Sequence, residues 1–83
     1  MKTKKVKITR VLANNIISLR LAHKMSASEL ARQIGVTRQA IYNIENESSW
    51  VSLEKIEALA KVFGIEQHEL FQNNTGQQKD KEM

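Results

Sequence analysis

Residues 37–46, TRQAIYNIEN, bring together side chains that can both give and accept hydrogen bonds. Wound into a helix at about 100° per residue, Ala40, Ile41 and Ile44 fall on one side; Arg38, Gln39, Tyr42, Asn43 and Asn46 gather around the other. A solvent-facing helix surface usually carries Lys and Glu, which favour helix and keep a protein soluble. This face offers amide, guanidinium and phenol groups instead. A carboxamide sets a donor beside an acceptor and a guanidinium sets donors in pairs, the patterns that match the edges of adenine and guanine. The bland alternative for each is solvation of the helix, and for Tyr42 an amphipathic surface residue.

Other chemistries find little support. No carboxylates pair at catalytic spacing, and no Gly-rich phosphate loop, nucleophile motif or metal-ligand spacing is present. His23 and His68 lie far apart in sequence and there is no Cys, so neither a metal site nor a disulfide is expected. The expectation is a protein that is not an enzyme and has no cofactor.

Eighty-three residues allow one small domain whose core must come from apolar packing alone. The apolar runs are only a few residues long, and MKTKKVKI lacks the apolar segment of a secretory signal. A soluble, cytoplasmic protein without membrane contact is expected. The net charge of +4 is unevenly placed: residues 1–9 hold Lys2, Lys4, Lys5 and Lys7 and no acid, whereas seven bases balance seven acids over residues 10–71. A basic arm on a charge-neutral body suits a polyanionic partner, although a short Lys-rich terminus also serves simply for solubility.

The elements that must position the polar face follow from apolar spacing and caps. Leu12, Ile16, Leu19 and Ala22 recur at helical spacing, giving a first helix over residues 9–23. Ser26 and Glu29 form an S-x-x-E capping box that opens a second, from Ala27 to Gln33, burying Leu30, Ala31 and Ile34. Gly35 stops it, since glycine enters the left-handed conformation of a helix end without steric cost. Thr37 caps the third helix, which runs to about Asn46. Ser52 caps LEKIEALAKVF, closed by Gly64, and EQHELF gives a short fifth helix. The result is an all-α, five-helix domain over residues 9–71, with a flexible basic arm (1–8) and a disordered polar tail (72–83). Lys alternates with Val6 and Ile8 in the arm, a weak strand signal.

Helix two, the Gly35 turn and helix three together make a helix-turn-helix whose second helix projects outward. ISLRLAHKMSASELARQIGVTRQAIYNIEN and SLEKIEALAKVFGIEQHELF resemble the phage repressor and Cro type (Xre-like) of this domain over residues 16–71. The shared features are an Arg in helix one, S-Q-x-E-L-A-x-x-x-G-V-S across helix two and the turn, I-x-x-I-E in helix three, and L-A-x-x-(L/F)-G-(V/I) in helix four. The resemblance implies a transcriptional regulator, most simply a repressor, that binds double-stranded DNA as a homodimer on a pseudo-palindromic operator. It places Arg38, Gln39 and Asn43 against base edges, with Tyr42 on a thymine methyl or a phosphate. Lys4, Lys5, Lys7, Thr37 and Asn46 are expected at phosphates. Arg20 and Glu45 match a pair that forms a structural salt bridge in the family.

The sequence departs from the pattern in two places, the start of helix two and the loop before helix four. Ala27 replaces the Gln that contacts a phosphate in the family, and Glu47 and Val51 stand where the following loop usually has Gly and Pro. Glu47 is expected awkwardly close to DNA. These departures favour a second reading, a helical protein-interaction module, such as an antitoxin-like partner-binding protein, that keeps the fold without reading DNA. Trp50, in the same loop, suits either a cap on the core or an apolar dimer patch with Phe71. A phage repressor, an antitoxin and a restriction-modification controller all remain open.

Overall fold

The computed structural model describes residues 7–72. Four α-helices follow in order: α1 (Ile8–Ala22), α2 (Ala27–Ile34), α3 (Arg38–Glu45) and α4 (Leu53–Phe63). The fifth element, Gln67–Phe71, is a 3₁₀ helix rather than the expected α-helix. Five residues give too few i→i−4 bonds to offset α-helix nucleation, and the tighter 3₁₀ turn is the usual outcome at that length. Helix α1 opens at Ile8, one residue earlier than the periodicity suggests. Ile8 is therefore helical, and there is no strand among the described residues. Val6, the other half of the strand signal, and most of the arm and tail (1–6 and 73–83) lie outside the described residues.

Helices α2, α3 and α4 start at local side-chain caps, whereas α1 starts at Lys7 without one. The Ser26 hydroxyl accepts from the Glu29 N–H at 3.0 Å while the Glu29 carboxylate accepts from the Ser26 N–H at 2.9 Å, closing the capping box. Thr37 accepts from the Ala40 N–H at 3.0 Å and Ser52 from the Lys55 N–H at 3.3 Å. All four α-helices end in one geometry, with a left-handed residue followed by an N–H that reaches back five residues to a carbonyl. Val36 donates to Ala31 O and Ile65 to Ala60 O after Gly35 and Gly64; Met25 donates to Arg20 O and Ser48 to Asn43 O after Lys24 and Glu47. Lys24 (φ 57°) and Glu47 (φ 64°) thus occupy a backbone region that glycine enters more cheaply.

The core draws one fully buried large residue from each element: Ile16, Leu30, Ile41, Leu59 and Leu70. Small Ala27 and Ala31 are buried on α2 where it meets its neighbours, and Phe63 closes the end of α4. On α1 the buried stripe is Val11, Leu12, Ala13 and Ile16; Leu19 is half-buried against the core and Ala22 is exposed. Ile34 is half-buried against the core rather than inside it. Leu70 is locked by Asn15, whose amide donates to Leu70 O at 2.7 Å and to Gln72 O at 2.8 Å. This side chain ties the C-terminal turn to α1.

Candidate nucleic-acid interface

Helix α3 buries Ile41 and Ile44 and turns its other face outward. Thr37, Arg38, Gln39, Tyr42 and Asn46 are exposed, and Asn43 is half-buried beside them. Two pairs spaced i,i+4 organise this face. The Gln39 amide nitrogen donates to Asn43 Oδ1 at 3.0 Å, and the Arg38 guanidinium carbon lies 5.9 Å from the centroid of the Tyr42 ring. Coupling Gln39 to Asn43 leaves one amide's oxygen and the other's NH₂ free, a donor and acceptor held side by side. Reversing both amides exchanges the two roles and keeps the array. The stacked ring restrains Arg38 without using its donors.

Acids near this face are turned toward α1. The Glu45 carboxylate takes Arg20 Nε at 2.7 Å and Nη2 at 3.1 Å, and Arg20 Nη1 donates to Met25 O at 3.1 Å. The side chains are 14% and 9% exposed. Hydrogen bonding to Glu45 raises the Arg20 pKa; burial opposes this, and the Coulombic attraction of Glu45 adds to it. A raised folded pKa gives stability that is complete below the unfolded value and is lost only as pH rises through the folded one. The pair therefore holds throughout the neutral range.

Glu47 accepts from the Thr9 hydroxyl at 3.4 Å and lies 3.8 Å from Arg10 Nε. Its backbone is left-handed (φ 64°), while its carboxylate is held at the start of α1. Thr9 and Arg10 are missed by sequence reasoning, since nothing local links them to a residue so distant in sequence. Asn15 is missed as well. Its signal was a residue of weak helix preference, in mid-helix on the side that meets the C-terminal turn.

The other candidate contacts are spread around α3. Asn46 Oδ1 accepts from the Ser48 N–H at 3.1 Å, which leaves its NH₂ available. The Thr37 oxygen is used in capping and its hydroxyl proton is not. Lys7 is exposed at the N-cap of α1, whereas Lys4 and Lys5 lie outside the described residues. Ala27 is buried in the core, so it offers no side chain toward a phosphate. Among the described residues no cluster of three or more His, Cys, Asp or Glu is placed to hold a metal, and no helix is long and apolar enough to cross a membrane.

The model of the helix-turn-helix family HTH_3 matches residues 16–70, from α1 through the 3₁₀ turn. The chain belongs to this helix-turn-helix family. An HTH-type transcriptional regulatory protein of Sulfolobus acidocaldarius is 36% identical to it over 66 residues, 80% of this chain; the match spans 22% of that relative's length. Among solved structures, the hypothetical transcription factor NHTF from Neisseria superposes with a TM-score of 0.79 at 26% identity, covering 95% of this chain and 94% of that one. The restriction-modification controller protein C.AhdI from Aeromonas hydrophila gives 0.72 at 32% identity, over 76% and 96% of the two chains. Family and neighbours together support a DNA-binding transcriptional regulator.

Proposed function

We propose that this helix-turn-helix protein is a sequence-specific, cytoplasmic repressor that binds a pseudo-palindromic operator in double-stranded DNA as a homodimer. The observation that carries this reading is the outward face of α3, where Arg38, Gln39, Tyr42 and Asn43 are exposed or half-buried, paired among themselves and free of carboxylates. A helix of about 10–12 Å diameter fits the major groove of B-DNA, and two copies would enter successive grooves about 34 Å apart. Arg38 is assigned to guanine O6 and N7, and the Gln39–Asn43 pair to adenine N6 and N7. Tyr42 packs on a thymine methyl or reaches a phosphate. Thr37, Asn46 and Lys7 contact phosphates, together with Lys4 and Lys5 of the N-terminal arm.

Selection of bound fragments from random duplex DNA by the purified full chain tests this reading. The expected outcome is enrichment of a sequence with two-fold symmetry. Failure to enrich any sequence would favour the protein-interaction module.

A further inference from the structure

We infer that a second copy of this chain docks on the apolar face formed by the start of α1, the α3–α4 loop, the start of α4 and the end of the 3₁₀ turn, with Trp50 as anchor. The inference rests on the proposed homodimer and names its surface. Trp50 is 83% exposed, Leu53 77% and Ile8 51%, so Trp50 is not a cap on the core. The three residues border one cavity of about 200 Å³, and Leu12, Ile56 and Phe71 carry its wall down to the core. A contiguous apolar patch of this kind marks an interaction surface, and Trp is the residue type most enriched at the energetic centres of interfaces.

The rim points to a like partner. Thr9 lines the cavity and donates to Glu47, which lies 3.8 Å from Arg10. A positive and a negative side chain therefore stand together beside the apolar centre. Under a two-fold axis such a rim is self-complementary, with Arg10 of one copy toward Glu47 of the other and the reverse. A partner of one charge sign would satisfy only half of it. The centre has the same property: each copy sets an exposed indole at the wall of an apolar cavity, so that two copies can exchange the contact. The placement also suits two-fold readout: the loop bearing Trp50 leaves directly from the end of α3, where Ser48 is bonded to Asn43 O.

Trp50 is the only Trp in the chain, so its fluorescence reports on this face alone. The experiment is a dilution series of the full chain, free and on the selected duplex, followed by tryptophan emission and sedimentation. The expected result is solvent-exposed emission for the monomer and a blue shift that tracks dimer formation. Trp50→Lys and Leu53→Glu should each weaken dimerisation by about tenfold or more while leaving the circular dichroism and melting of the monomer unchanged. A dimer whose Trp50 emission stays exposed, or which forms equally well with both substitutions, places the interface elsewhere and leaves the homodimer reading intact. Blue emission independent of concentration means that the chain's own residues cover the face, and overturns the inference. One chain per site on DNA at saturation removes the homodimer reading itself.

Discussion

Arg20 on α1 grips Glu45 at the end of α3 through two hydrogen bonds, 2.7 and 3.1 Å, while its third hydrogen bond holds the Met25 carbonyl in the turn before α2. One guanidinium thus fixes three segments around the helix-turn-helix. Its planar fork is what allows this; an ammonium has no such geometry. Glu45→Ala leaves Arg20 largely buried and unpaired. The expected loss is toward the lower end of about 3–5 kcal/mol, because both side chains keep some exposure to water. Urea denaturation measures it, and an unchanged midpoint would show that the pair contributes nothing.

The helix ends make a reciprocal prediction. Lys24 takes φ 57° where glycine is cheaper, so Lys24→Gly should raise stability by roughly 0.5–1 kcal/mol. Gly35 takes φ 76°, but an added Cβ would meet nothing within 4 Å. Gly35→Ala should therefore cost about 1–2 kcal/mol, from backbone strain alone. Thermal unfolding of both variants checks the signs; a larger loss at Gly35 would mean that space as well as φ restricts it.

Reading and positioning separate at Gln39. Gln39→Ala should cost about 1–3 kcal/mol on the selected operator and relax selectivity at one base pair per half-site. Because Gln39 donates to Asn43, the double substitution with Asn43→Ala should cost less than the sum of the single ones. Binding isotherms on operator and on random duplex give both quantities. Equal losses on the two DNAs would mean that α3 only positions the protein.

The arm should behave differently. Lysine ammonium groups at phosphates carry no sequence information, so replacing Lys4, Lys5 and Lys7 by Ala should lower affinity on most sequences alike. The slope of log affinity against log salt should become shallower by up to ~0.9 for each phosphate that is no longer neutralised. A salt titration that leaves the slope unchanged would detach the arm from DNA.

The sequence by itself determined the helices and the division of α3 into two faces, because both are written in short-range terms. Ser26 and Glu29 meet across three residues, Gly35 and Gly64 mark their turns by type, and Ile41 and Ile44 recur at the helical period. Lys24 and Glu47 end their helices in the same way, yet neither residue type announces it; the hydrogen bonds on either side hold those backbones left-handed. Which way the Glu47 carboxylate turns was decided by Thr9 and Arg10, and the seat of the C-terminal turn by Asn15, each across a long loop of chain. Trp50 had two sequence-level readings, and only the packed α1, α4 and Phe71 leave it outside the core. Caps and periodicity depend on neighbours a few residues apart; burial and the direction of a charged side chain depend on segments that meet only once the chain has folded.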